Sequence, residues 1–396
     1  MRDELDRRAM ATLSGGHMAV DFASGSVPAL LPFFTLKFDL SYTATAVLML
    51  AVLVSSSLVQ PFFGLWSDRR GAMWLLPGGV ALAGLATGLA ASAPTYPLVA
   101  GLVFVAGIGI AAYHPEGAKF AAFASGRKRA SGMSYFNIGG NTGYALGPIV
   151  VTPLVLWLGL GGGTLAMIPV LVMATVLLRS LSALRGVAPA AAGAQRAADG
   201  RDDVRAMTLL TIVIAFRSVA WFGLLTFVPL WVVANGGTEG EGGRELSLML
   251  VSGAIGTLVL GPVADRIGLR RTLVVTQAAL PFLIVVFVAV GGAVGTFALM
   301  LVGLSCVGTF GVTMVLSQLY LPRHVGMASG LSIGLAMGLG GIAAVLLGVV
   351  ADIIDLETAL YLAAAAPAIG CVFSIFLPRP HTVGAPHAEP AAPAIV

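Results

Sequence analysis

His17 and Asp21 stand one helical turn apart in the run 12–36, which is otherwise almost wholly apolar, and Ser24 and Pro28 continue the same stripe. Placing a carboxylate inside a hydrophobic span is costly, so such a group is a functional candidate by default. Its proton occupancy can change as its surroundings change. Asp21 is therefore read as a proton-carrying site with His17 as its relay. The other reading is a buried ion pair that holds helices together, or side chains that reach water. Arg217 lies inside the run 207–234. It is expected to compete for the charge of Asp21 and to offer a cavity cation to an anionic substrate such as a phosphonate or carboxylate. A further titratable group closes the run 97–120 as Tyr113-His114-Pro115-Glu116-Gly117-Ala118-Lys119. His114 and Glu116 point to opposite faces of a regular helix, and Pro115 is expected to bend them closer. They could gate proton access to the inner vestibule. Equally, Glu116 and Lys119 could simply neutralise each other at i,i+3.

Polar residues also mark the run 130–157. Asn137, Asn141 and Tyr144 fall on one stripe, expected to face a substrate cavity. Gly140, Gly143 and Gly147, followed by Pro148, fall on an adjacent stripe suited to backbone-to-backbone helix packing. Trp221, just after Arg217, either lines the cavity or faces lipid. Trp66, Trp74, Trp157 and Trp231 sit at the ends of apolar runs, as interfacial belts do.

The elements that must position these groups follow from composition. Of the 396 residues, 58% are hydrophobic and only 10% charged, against roughly a quarter charged in a soluble globule. Apolar runs separated by charged or Gly/Pro breaks predict twelve helices, each long enough to cross ~30 Å of hydrocarbon. The chain is thus read as an all-α membrane protein in two six-helix bundles. Residues 1–182 form the first bundle, 183–206 a cytoplasmic linker rich in Ala, Arg and Asp, 207–377 the second bundle, and 378–396 a disordered cytoplasmic tail. Of the 22 Lys and Arg, Lys37 and Arg244 fall on one side and Arg217 within a span; the rest gather on the other side. That bias places both termini in the cytoplasm and explains the net charge of +4 without nucleic-acid binding.

The halves repeat one another. Gly64-x-x-x-Asp68-Arg69-x-Gly71 and Gly261-x-x-x-Asp265-Arg266-x-Gly268 follow the second and eighth spans. Pro32 and Pro229 share the same offset, which also sets Arg217 opposite Val20, and Ala130-Ser131-Gly132 meets Ala328-Ser329-Gly330 one residue later. The paired loops are read as charge locks that hold one access state, with their first glycines allowing close helix approach; the other reading is a tight turn with ordinary surface charges. A parallel repeat of this kind places substrate near the midplane between the halves.

No nucleophile elbow, phosphate-cradling loop or metal-ligand spacing is visible, so neither an enzyme nor an ATPase is expected, and a proton gradient rather than a cofactor would supply the energy. Cys306 and Cys371 are isolated, and the charged start of the chain has no cleavable-signal pattern.

These motifs together resemble the major facilitator superfamily over nearly the whole chain. Gly16-His17, Asp21, Pro28 and Pro32 are similar to the first helix of its fosmidomycin-resistance branch. Gln60-Pro61, the Tyr113–Glu116 run, Asn137–Gly143, Gly147-Pro148, Arg217-Ser218 and Thr226–Leu230 extend the resemblance. Gly143-x-x-x-Gly147-Pro148 also looks like the fifth-helix motif of drug/proton antiporters. Val20 departs from the branch, where many relatives carry Asn before the aspartate, and the loop after Gly71 has fewer basic residues than the superfamily pattern. The resemblance implies an inner-membrane, proton-coupled efflux antiporter for small drugs or metabolites, in contact with lipid, functional as a monomer. A proton symporter importing a sugar or organic acid is the competing reading, and a non-transporting membrane sensor a third.

Overall fold

In a hydrocarbon environment every backbone N–H and C=O must be satisfied within the chain, which leaves uninterrupted helices as the solution for long apolar runs. The computed structural model describes residues 5–126, 129–187 and 202–378, without the side chains of 68–70, 129–131, 324–327, 329–331 and 333–335. Every element among them is helical. The first half comprises α1 (Arg7–Phe38), α2 (Tyr42–Arg70), α3 (Leu75–Ser92), α4 (Tyr96–Ala124), α5 (Arg129–Leu158) and α6 (Met167–Arg185). The second comprises α7 (Val204–Ala234), α8 (Glu239–Ile267), α9 (Leu269–Val290), α10 (Gly292–Tyr320), α11 (Val325–Ile353) and α12 (Leu356–Ile375). Twelve are long and apolar enough to cross a membrane, and an even number of crossings leaves both ends of the chain on one side. The expected linker and tail fall largely outside the described residues, though α6 extends into the former and α7 begins before residue 207.

The sequence repeat is also a packing repeat. α1 packs on α5 as α7 does on α11; α2 packs on α4 as α8 does on α10; and α3 packs on α6 as α9 does on α12. Across the halves α2 meets α11 and α8 meets α5. The helix starts repeat too. Asp6 caps α1 by accepting from the Ala9 N–H at 3.1 Å, while its own N–H donates to Ala124 O at 2.8 Å. Asp203 caps α7 through the Ala206 N–H at 2.9 Å and donates to Tyr320 O at 2.7 Å. Each half thus ties the start of its first helix to the end of its fourth.

The paired Asp-Arg motifs are helix ends rather than loops, because α2 runs through Arg70 and α8 through Ile267. Their final glycines stop the helices: Gly71 has φ +62° and Gly268 φ +97°, a region that side chains disfavour. Their first glycines do not serve close approach. A Cβ on Gly64 would meet Pro115 Cβ at an ordinary 3.7 Å, and one on Gly261 would meet nothing.

The glycine stripe of α5 differs from the expected one at a single position, Gly139 standing in for Gly140. A Cβ on Gly139, Gly143 or Gly147 would strike the α1 backbone at Ser14, Met18 and Gly25 respectively. Gly25 in turn presses on the backbone of Tyr144. These i,i+4 steps bring the two backbones together, as small residues do in membranes. Gly140 faces elsewhere, toward His17 and Asp21. Trp66, Trp74 and Trp157 are exposed, as lipid-interface residues are.

Candidate functional site

α1 carries His17 and Asp21 on one face, α4 brings His114 against them, and α5 closes the group with Phe136 and Gly140. His17 Nε2 lies 3.3 Å from Asp21 Oδ2, and His114 Nε2 lies 3.3 Å from Oδ1. Each oxygen of the carboxylate therefore faces one imidazole. The other ring nitrogens are held by the backbone: His17 Nδ1 donates to Phe136 O and His114 Nδ1 to Ile110 O, both at 2.8 Å. A carbonyl only accepts, so both Nδ1 atoms carry hydrogen and both Nε2 atoms turn toward Asp21.

Aromatic packing fixes the rings. His17 stacks on Phe136 at 4.1 Å between centroids and meets His114 edge-on at 5.1 Å. Tyr113 donates to Leu13 O at 2.5 Å and closes the side toward Gly16, where a Cβ would clash with its hydroxyl. His17 is buried, while the side chains of Asp21 and His114 remain 18% and 25% exposed, so the group is reachable from one side. Sequence spacing showed no metal-ligand set, yet one ligand atom from each of His17, Asp21 and His114 lies within 4.8 Å of the other two.

Glu116 belongs to another cluster. α4 runs through Pro115 without a break, so His114 and Glu116 keep opposite faces. Glu116 is fully buried and pairs with Lys119 Nζ at 2.7 Å. Ser67 of α2 donates to its Oε2, and Lys119 donates to Ser67. Glu116 and Lys119 thus meet as i,i+3 neighbours, and Ser67 is a partner that carries no signal in the sequence. Ser67 immediately precedes Asp68, so this buried pair joins α4 to the helix end bearing the repeated motif. The side chains of Asp68 and Arg69 lie outside the described residues. Asp265 and Arg266 are exposed, and no ion pair forms at either among the described residues.

Arg217 forms no ion pair with Asp21, whose carboxylate is paired by His17 and His114. It is buried in the second half, with Nη1 donating to Thr309 Oγ1 at 3.0 Å and the guanidinium 5.6 Å from the centroid of the Phe310 ring. No carboxylate pairs with it among the described residues. Equivalent depth in two related helices does not imply contact, because the repeat relates positions within halves and not partners across them. Asn141 does reach across, donating to Thr257 Oγ1 of α8 at 3.0 Å. Asn137 is exposed, whereas Tyr144 and Trp221 are half-buried against the main core.

One further inter-half contact had no sequence signal. Asp352, in the last turn of α11, accepts from the Tyr42 and Thr43 N–H groups at 2.7 and 2.9 Å. A carboxylate from one half thereby caps the start of α2 in the other, at the end of the bundle opposite the termini.

Two related bundles of six membrane helices, with ionisable groups buried within them, define a multi-pass membrane transporter. Residues 13–345 match the Major Facilitator Superfamily model, and the chain belongs to that superfamily of secondary transporters, which are not enzymes. It is 28% identical over 371 residues to an uncharacterized transporter of that type, YfnC, from Bacillus subtilis, covering 91% of this chain and 90% of that protein. It is 28% identical over 381 residues to the fosmidomycin resistance protein of Escherichia coli, covering 93% and 92%. A bacterial homologue of the human lysosomal transporter Spinster has the same fold, with a TM-score of 0.73 at 12% identity, covering 93% of this chain and 96% of that one.

Proposed function

We propose that this protein is a proton-coupled efflux antiporter of the bacterial inner membrane. It exports small amphipathic or anionic compounds by rocking one six-helix half against the other. The observation that carries this reading is the His17–Asp21–His114 cluster, a carboxylate inside a span with an imidazole Nε2 facing each of its oxygens. Both Nδ1–H groups are engaged by backbone carbonyls. Protons can therefore be taken up only on the inward-facing Nε2 atoms or the carboxylate itself. Loading the cluster changes its charge, and with it the cost of presenting it to either side of the membrane.

Arg217 supports an anionic cargo. A buried guanidinium with a hydroxyl and a ring for neighbours, and no carboxylate paired with it among the described residues, is a charge that an anion would neutralise. The Escherichia coli relative is named a fosmidomycin resistance protein, which supports drug export.

The test is drug susceptibility in a host stripped of its own exporters, comparing the parent with Asp21→Asn at matched membrane levels across compounds that include fosmidomycin. Resistance lost in the variant supports proton-driven export through the cluster. Resistance that persists moves the coupling away from Asp21. No resistance to any compound, together with proton-driven uptake into right-side-out vesicles, establishes import instead.

A further inference from the structure

We propose that His17, Asp21 and His114 form a binding site for a divalent transition-metal ion with zinc-like preferences, through the two Nε2 atoms and the carboxylate. The first support is the orientation of the rings. Metal-binding imidazoles characteristically donate their other N–H to a carbonyl or carboxylate, which fixes the tautomer and aims the lone pair. Both imidazoles here do so, His17 onto Phe136 O and His114 onto Ile110 O. Two Nε2 atoms thus converge on one carboxylate, and when neither carries a proton a cation among them would satisfy all three groups.

Spacing is the second support. A charge-assisted N–H···O bond closes to about 2.7–2.9 Å, whereas both Nε2–Oδ separations here are 3.3 Å. Ligands bound at about 2.0–2.1 Å in a tetrahedral shell stand about 3.3 Å apart. Each observed separation matches that of two ligand atoms around an ion, with the carboxylate offering a different oxygen to each ring, as a bidentate ligand does.

Clearance is the third. Gly140 faces the cluster, and a Cβ there would lie 2.5 Å from His17 Nε2 and 2.7 Å from Asp21 Oδ2. The glycine leaves open the side from which those two atoms are approached. The partial exposure of Asp21 and His114 leaves room for water as the fourth ligand, the open-position pattern of three-ligand zinc sites. Two imidazoles and one carboxylate favour zinc-like ions over magnesium or calcium, which want oxygen shells.

The site stands on these atoms alone and holds whether or not the chain exports drugs. Only its consequence, that a bound ion would displace coupling protons, rests on the antiport reading. The experiment is a titration of the purified, chelator-stripped protein in detergent with Co²⁺, read by the visible absorption of four-coordinate cobalt and followed by displacement with Zn²⁺. The expected result is one saturable ion per chain, displaced by Zn²⁺ and not by Mg²⁺. Affinity should fall at least about tenfold in His114→Gln and in Gly140→Ala. These variants are chosen because His114 is partly exposed and Gly140→Ala keeps every ligand, with folding checked by monodispersity. No saturable four-coordinate signal, or binding unchanged in both folded variants, would overturn the proposal.

Discussion

The spacing of His17 and Asp21 makes their meeting visible in the sequence, because i,i+4 residues share a helix face. His114 is a different case. Nothing local to Tyr113–Lys119 shows which face of α4 meets α1, and the helix continues through Pro115. Arg217 was legible as buried, but its partners Thr309 and Phe310 are set by packing against α10. Those contacts carry a prediction. Removing a buried cation that has no carboxylate partner among the described residues leaves no orphaned charge there. Arg217→Gln should therefore change the thermal midpoint in detergent by no more than a few degrees while sharply reducing transport of anionic compounds relative to neutral ones. Equal loss for both classes would show that Arg217 does not select charge, and unfolding would show that it is a structural centre.

Helices were the most legible part of the molecule, since hydropathy and length suffice to place them. Their ends and faces were not, because these depend on what each helix packs against. The G-x-x-x-D-R-x-G repeat has the composition of a pair of loops, yet its residues continue two helices and only its last glycines turn the chain. On α5 the packing stripe keeps Gly143 and Gly147 but takes Gly139 in place of Gly140, which faces the site. The contrast between Gly143 and Gly64 is testable. A side chain at 143 must displace the α1 backbone at Met18, whereas one at 64 fits. Gly143→Leu should cost about 1–3 kcal/mol or more, the range for overpacking, and Gly64→Ala less than about 0.5 kcal/mol. Apparent melting temperatures of the two variants in one detergent check this; similar values would mean that α1 and α5 are not held by backbone approach.

At the scale of the whole molecule the two halves must part at one end while they close at the other, so the contacts between them set which state is populated. Asn141–Thr257 lies about halfway along α5 and α8. The end opposite the termini is held by Asp352, which caps α2 from α11, and by the close seating of Gly243 against Thr152. This closure pairs α2 with α11 on one side and α8 with α5 on the other, as the repeat requires. A helix cap of this kind is worth about 0.5–2 kcal/mol, enough to shift a two-state balance several-fold. The cap exists only while that end is closed, so its loss should favour opening there. In a chain freed of Cys306 and Cys371 and carrying Thr43→Cys, the backbone N–H of residue 43 still meets Asp352. Asp352→Ala should then raise the rate at which a bulky, membrane-impermeant maleimide labels the cysteine by several-fold. If the rate is unchanged, the contact is decorative and the closed end is held by packing of α2 on α11 alone. If it rises while transport slows, the protein works from a balance that this single carboxylate tunes.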